Sequence, residues 1–166
     1  MRRLLVPLLI FLVAAGAFGW WWYQPEKVIA RRTAALFESA NVAPDSGSIA
    51  KGTRGAAIEG YLAPTITFEG PEGPTEEVAG PQKRDQIVSM YSALASICKQ
   101  ATIQDLEIQS VDVTGETAQV AATADAIIEL PNDERPVDGL QHFQLGWRKI
   151  EGKWLLESAK WKETAR

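Results

Sequence analysis

The sequence predicts an α+β domain preceded by a single apolar helix. Apolar residues recur at helical spacing in several stretches before residue 100, and they alternate with polar residues in the stretches after it. The last of these stretches, residues 140–161, has two strand-like runs on either side of Glu151-Gly152, which is typical of an antiparallel hairpin. Helices gathered on one face of an antiparallel sheet make an α+β domain. We therefore divide the chain into an N-terminal segment, residues 1–23, and a domain at residues 24–166.

The composition is that of a globular protein and excludes several classes of site. Apolar residues make up 46% and charged residues 23% of the chain, so wholesale disorder is not expected. Two of the 17 basic residues are Arg2 and Arg3, so residues 24–166 carry 15 basic against 21 acidic side chains, a net charge of −6. This charge, without any basic block, predicts no nucleic-acid partner. Because Cys98 and His142 are each the only residue of their type, we predict no intramolecular disulfide and no metal site built from several cysteines or histidines. The sequence has no glycine-rich phosphate loop and no zinc-ligand spacing, so we predict no cofactor.

The first twenty-three residues predict a transmembrane signal-anchor. Residues 4–23 contain no charged side chain, and twenty residues at about 1.5 Å each span the roughly 30 Å of a bilayer core. Arg2 and Arg3 would hold the N-terminus in the cytoplasm. Aromatic residues suited to the far membrane interface close the segment: Trp20, Trp21, Trp22 and Tyr23. We therefore expect the domain on the periplasmic side of the inner membrane, with the bilayer as one partner.

A cleaved signal peptide is the alternative, because Ala15-Gly16-Ala17 has the small residues of a cleavage site. Cleavage after Ala17 would leave Phe18 and three tryptophans at an exposed N-terminus, so we favour the uncleaved anchor. Both interpretations export residues 24–166.

Three stretches predict helices. Residues 25–42 begin with a proline suited to a first helical turn and carry an apolar stripe. Residues 49–62 have helical spacing but contain three glycines, which predicts a short, weak helix. Residues 81–100 place apolar side chains on one continuous face, which we expect to be buried in the core. A short strand at residues 65–68 and a loop rich in proline and glycine at residues 69–80 separate the last two helices.

Four strands in an antiparallel meander are predicted after residue 100. In the first, a change in the parity of the apolar residues indicates a bulge near Gln109-Ser110. The next strand has three small residues on its buried face, which predicts a closely packed helix or a hollow beside them: Ala122, Ala124 and Ala126. The last two strands form the terminal hairpin.

The turn of that hairpin decides where Glu157 points. A two-residue turn needs Glu151 at positive φ, which costs energy for a residue with a Cβ, so we favour a three-residue turn with only Gly152 in the left-handed region. That register pairs Leu145 with Glu157 and turns the carboxylate inward, where burial would raise its pKa and suit it to acid–base chemistry. A two-residue turn would instead direct Glu157 outward, near Arg148.

Three segments carry the local patterns of one known fold. They are residues 58–68 (IEGYLAPTITF), residues 111–118 (VDVTGETA) and the closing hairpin at residues 143–156. Together they resemble the nuclear transport factor 2-like superfamily, which includes the SnoaL-like polyketide cyclases. The resemblance covers residues 25–161, about four-fifths of the chain. It implies a cone-shaped fold, in which a strongly curved antiparallel sheet wraps around about three helices.

The resemblance leaves the function open, because the superfamily includes isomerases, dehydratases, ligand carriers and non-catalytic assembly domains. Its enzymes place acidic, tyrosine or histidine side chains on the inner wall of the cone. In the register that we favour, Glu157 points toward this inner wall, and Tyr61 and Tyr91 lie on helices directed at the same interior. Glu157 with Tyr61 or Tyr91 is therefore the candidate catalytic pair. Three other polar residues lie opposite the apolar rows of their strands and are predicted to face solvent: Asp125, Glu129 and His142.

We carry three hypotheses for the function. The first is a non-enzymatic, membrane-anchored extracytoplasmic domain of bacterial type, which assembles with another envelope protein or with a second copy of itself. The second is a carrier of a small apolar ligand held in the interior of the cone. The third is an isomerase or dehydratase that uses Glu157. The residues predicted to line the interior pocket are Tyr91, Leu94, Ala122, Ala124, Ala126, Phe143, Leu145 and Trp147.

Overall fold

Four helices and six strands form the part of the chain that the structure, a computed structural model, describes: residues 23–44, 46–70, 79–129 and 137–165. The helices are α1 (Pro25–Ala40), α2 (Ser48–Gly52), α3 (Arg54–Glu59) and α4 (Arg84–Ile97). The strands are β1 (Leu62–Glu69), β2 (Gly80–Lys83), β3 (Gln100–Thr114), β4 (Thr117–Glu129), β5 (Val137–Ile150) and β6 (Lys153–Ala165).

The predicted membrane anchor lies outside the described residues, apart from Tyr23, which is 76% exposed just before α1. Arg2 and Arg3 lie outside them as well, as do the three tryptophans of the predicted membrane interface. No helix in the described part of the chain is both long enough and apolar enough to cross a bilayer.

The strands form one curved, mixed sheet in the order β2-β1-β6-β5-β4-β3. The predicted antiparallel meander is confirmed, since β3 to β6 pair in sequence order. The prediction of a purely antiparallel sheet is wrong, because β1 runs parallel to β6, with Leu62 opposite Leu156. This parallel pairing is possible because α4 and the whole meander connect the two strands, as a crossover must.

The segment before α4 is a strand, not the start of a helix as predicted. Pro81 lies in β2 opposite Thr67 of β1. Proline is tolerated there because β2 is at the edge of the sheet, where one side of the strand needs no backbone donor. The helix begins at Arg84, where the backbone N–H of Lys83 donates a hydrogen bond of 3.2 Å to the side-chain oxygen of Gln86.

The weak helix predicted at residues 49–62 is instead two short helices, which are separated at Thr53. Its glycines do not all act as helix breakers. A Cβ on Gly55 would lie 2.1 Å from the carbonyl oxygen of Val88, and the Gly55 N–H donates to the hydroxyl of Ser92 at 3.1 Å. Glycine at this position therefore lets α3 approach α4 closely.

The apolar face of α4 is only partly buried, which corrects the prediction that the whole face packs in the core. Ile87 and Ala95 are buried. Met90 and Leu94 are each 41% exposed, and Ile97 is 60% exposed. The outer part of this face therefore lies at the protein surface.

The bulge predicted in β3 is confirmed. Ile108 pairs with Ala122 and Ser110 with Ala121, so Gln109 is the extra residue. A second irregularity follows Gln104, where Asp105 has a φ of 49°.

The turn of the terminal hairpin has two residues, so our preferred three-residue turn is wrong. Ile150 pairs with Lys153, and both Glu151 and Gly152 have positive φ, at 50° and 79°. A two-residue turn in this conformation matches the right-handed twist of the flanking strands. That match offsets the energetic cost of a glutamate with positive φ. The bulge of the hairpin lies further along β6, at Glu157.

That bulge sets the register of the closing strands. Trp147 pairs with Leu156 and Gly146 with Ser158, so Glu157 is the extra residue between them. Leu145 consequently faces Ala159 instead of Glu157. Trp147, only 1% exposed, lies in the main hydrophobic cluster.

Candidate functional site

An apolar cavity of about 520 Å³ lies between the helices and the sheet. It is bounded by α1, α3 and α4 on one side and by β1, β5 and β6 on the other. Apart from the hydroxyl of Tyr91 and the indole N–H of Trp161, the side chains of its described lining residues are hydrocarbon or thioether. The lining residues are Leu36, Phe37, Ala40, Ile58, Leu62, Phe68, Ile87, Met90, Tyr91, Leu94, Phe143, Leu145, Leu156, Ala159 and Trp161.

Four aromatic rings form a continuous part of this lining. Phe37 meets Phe143 edge to face, with ring centroids 4.9 Å apart, and Phe68 meets Trp161 in the same way at 6.3 Å. Phe143 and Trp161 are direct partners across β5 and β6, so they join the two pairs. Rings held by such contacts offer a ligand apolar surface and π faces, without ionic groups.

Tyr91 is the titratable residue among the lining residues that the structure describes, and its hydroxyl already donates a hydrogen bond. It donates a hydrogen bond to the backbone oxygen of Ala40. Burial, reinforced by Cys98 and opposed by Arg54, raises the pKa of Tyr91 to about 12. Tyr91 therefore stays protonated at neutral pH and serves to join α4 to the end of α1.

Half of the residues predicted to line an interior pocket do so, namely Tyr91, Leu94, Phe143 and Leu145. The other four are buried without contributing to the lining of this cavity. The three alanines of the predicted hollow are therefore buried by packing and do not border this cavity. The buried residues outside the lining are Ala122, Ala124, Ala126 and Trp147.

Several residues that line the cavity were not predicted from the sequence. Phe68 and Trp161 lie in strands that the sequence predicted, but their approach depends on the parallel pairing of β1 with β6. Leu156 enters the cavity wall because the two-residue turn pairs it with the buried Trp147, and the bulge at Glu157 then brings Ala159 and Trp161 to the same face. After the bulge, Ala159 and Trp161 lie two residues apart in β6 and therefore on the same face of the strand. This alternation is the sequence signal that identifies both as residues of the cavity wall.

The predicted catalytic residues do not share a site. The Glu157 carboxylate is outside the cavity, in an ion pair with Arg148 at 2.9 Å, and its side chain is 41% exposed. Tyr61 lies beneath the guanidinium of Arg32, 4.9 Å from the ring centroid, and does not line the cavity. Among the described residues, the cavity therefore brings no carboxylate to Tyr91.

Of the three residues predicted to face solvent, His142 and Glu129 lie on the outer face or at the edge of the domain, whereas Asp125 is only half-exposed and its Oδ1 atom is buried. His142 is exposed and lies between Thr123 and Lys162 in the sheet. Glu129 is half-buried and forms an ion pair of 2.7 Å with Lys99. Within residues 23–44, 46–70, 79–129 and 137–165, no group of three His, Cys, Asp or Glu side chains is placed to hold a metal ion.

Solved structures from several bacteria share this architecture. A ketosteroid isomerase-like protein from Erwinia carotovora atroseptica matches with a TM-score of 0.63 and 13% identity, over 87% of this chain and 99% of that chain. An NTF2-like protein from Cytophaga hutchinsonii matches with a TM-score of 0.57 and 12% identity, over 82% and 96%. A putative dehydratase of the NTF2-like family from Streptomyces avermitilis matches with a TM-score of 0.55 and 15% identity, over 83% and 94%.

No protein-family model and no curated protein matches the chain. Identities of 12 to 15% to these structures establish a shared fold and do not extend to activity. The curved six-stranded mixed sheet with its helices on one side is the architecture that they have in common. The chain therefore has the nuclear transport factor 2-like (NTF2-like) fold.

Proposed function

We propose that this protein is a non-enzymatic binding domain that holds a small, uncharged, apolar ligand in its cavity. The lining of the cavity supports this most strongly, because the one titratable side chain among its described residues, Tyr91, is protonated and already hydrogen-bonded. A volume of about 520 Å³ falls within the roughly 300–1,000 Å³ of ligand pockets, which are mostly apolar.

The energetics of the cavity favour occupation by an apolar molecule. An enclosed apolar void costs about 24 cal/mol per Å³, because the side chains around it lose their packing contacts. The whole stability of a domain is only about 5–15 kcal/mol, so a large empty apolar space is unfavourable. Opening the cavity to solvent lowers this cost, but walls without polar partners hold water poorly. A hydrocarbon ligand would recover the missing contacts.

The positions of the acidic and tyrosine candidates favour binding over catalysis. Acid–base catalysis needs a base within hydrogen-bonding reach of its substrate. Glu157 is instead directed outward toward Arg148, and Tyr61 stacks under Arg32. What supports a binding role is therefore the separation of these residues from the cavity.

We include a membrane tether in this proposal. Residues 4–23 are long and apolar enough to anchor the chain in the inner membrane, with residues 24–166 on the periplasmic side. Such a tether would keep the binding site near the bilayer, a source of apolar molecules. A protein partner, whether another envelope protein or a second copy of the chain, stays a prediction.

Native mass spectrometry of the full-length chain, released from lipid nanodiscs, tests the proposal. The chain is incubated with 1-octanol, 1-octadecanol or a sterol before measurement. We expect a one-to-one adduct with at least one of them, and its loss in Ala159→Phe, which places a ring in the cavity. Bare protein mass under all three conditions would contradict the proposal.

A further inference from the structure

Three apolar side chains of α4 form an exposed stripe, which we call the α4 stripe: Met90, Leu94 and Ile97. Their spacings of four and three residues place them on one face of the helix. Large apolar side chains at the surface are ordinary when they are scattered, but a contiguous row at the edge of a cavity indicates a binding surface.

The α4 stripe is continuous with the cavity. Met90 and Leu94 line the cavity, and each is also 41% exposed, so the cavity reaches the solvent beside these two residues. Ile97 does not line it and is 60% exposed. Ile97 follows Leu94 by about one helical turn, a rise of about 4.5 Å. An apolar path therefore leads from the cavity onto the surface of α4.

The stripe is too small for a stable protein interface. Three partly exposed side chains present at most a few hundred Å² of apolar surface, whereas a specific interface buries about 800 Å² on each partner. The exposed neighbours on α4 include Ser89 and Ser96, which limit the apolar surface on that side. A narrow strip that extends a cavity fits a hydrocarbon chain.

We propose that the α4 stripe binds the part of the ligand's hydrocarbon chain that projects from the cavity, so the ligand is a long-chain lipid and not a compact molecule. This inference rests on the proposed binding function. At about 30 Å³ for each group the size of a water molecule, 520 Å³ holds about 17 such groups. An eight-carbon alcohol fills about half of that volume, whereas an eighteen-carbon alcohol with its hydroxyl would fill all of it and reach the mouth beside the α4 stripe.

The test compares 1-octanol and 1-octadecanol that carry a photoreactive diazirine at mid-chain, with the full-length protein in lipid nanodiscs. The half-saturating concentration of covalent labelling is measured for wild type, Ile97→Asn and the matched control Ser89→Asn, which lies on the polar side of α4. Partitioning of each probe into the bilayer cancels between variants, because the nanodisc lipid is the same.

We expect Ile97→Asn to raise the half-saturating concentration of the eighteen-carbon probe about tenfold, from the lost burial of one aliphatic side chain. The eight-carbon probe should bind both proteins equally, and Ser89→Asn should match wild type with either probe. Equal binding of the eighteen-carbon probe to wild type and Ile97→Asn overturns the inference, and so does an equal loss for both probes. Failure of both probes to label Phe143 or Leu145 in wild type would instead overturn the binding function itself.

Discussion

Replacing Ala159 with phenylalanine separates the cavity from the rest of the hydrophobic core. Ala159 is buried, lines the cavity, and pairs with Leu145 across β5 and β6. The added ring occupies about six carbon-sized groups of the roughly 17 that the cavity holds. In a close-packed core such an insertion typically costs about 1–3 kcal/mol. Beside an open volume, the same insertion should instead stabilise the protein.

The magnitude follows from burial. A fully buried phenylalanine side chain contributes about 1.5–3 kcal/mol, and fixing its rotamer costs about 0.5–1 kcal/mol. We therefore expect Ala159→Phe to raise the free energy of unfolding by about 1–2 kcal/mol and the Tm by about 2–8 °C. Ligand binding should weaken at least tenfold, because the ring takes about a third of the volume.

Thermal denaturation followed by circular dichroism measures the first effect, and native mass spectrometry measures the second. Ala121→Phe is the matched control, since Ala121 lies on the outer face of the sheet opposite Gln144. It should leave ligand binding unchanged. A loss of stability in Ala159→Phe together with unchanged ligand binding would refute the assignment of the cavity.

Three further predictions concern the core, the tyrosine and the ion pair. Trp147→Ala should lower the free energy of unfolding by about 3–5 kcal/mol in denaturant titrations, because the side chain is buried in the main cluster; an unchanged midpoint would show that the core is elsewhere. Because the pKa of Tyr91 is raised to about 12, its contribution to stability is fully present below pH 10 and is lost as the pH rises from 10 through 12. Between pH 10 and 12, the free energy of unfolding of Tyr91→Phe should therefore fall less steeply than that of wild type. Parallel plots of the free energy of unfolding against pH for the two proteins would contradict this. Glu157→Gln should change stability by less than about 1 kcal/mol, because its ion pair with Arg148 is exposed, and should leave ligand binding unchanged; a large effect on binding would place Glu157 in the site after all.

The local patterns of the sequence predicted a large part of the fold. The change of parity in β3 located its bulge at Gln109, and the alternation after residue 100 predicted the antiparallel meander. The apolar face predicted for residues 81–100 ends at Cys98, which is buried beside Val42 and Ala95. These features depend on the period of side chains along a helix or strand, which neighbouring residues establish by themselves.

The cavity was only half predictable. Tyr91, Leu94, Phe143 and Leu145 belong to apolar faces that the sequence displays, and all four line it. Ala122, Ala124 and Ala126 share the same kind of face but are covered, because a row of small side chains is equally consistent with close packing and with a hollow. A local pattern shows that a side chain points inward, but the volume left there depends on all the elements that pack around it.

By itself, the sequence determined the α+β class, the meander and the apolar character of the interior, because all three follow from short-range periodicity. The tertiary structure decided the rest: the parallel pairing of β1 with β6, the exposure of the α4 stripe and the outward direction of Glu157. The last case shows the physical reason. The two possible turns at Glu151 differ by only about 1 kcal/mol of backbone strain, and a change of one residue in register turns every following side chain to the other face. The register of the two-residue turn buries Trp147 against Leu156. Burial of this kind, repeated along the whole sheet, outweighs the strain at Glu151 and selects the two-residue turn.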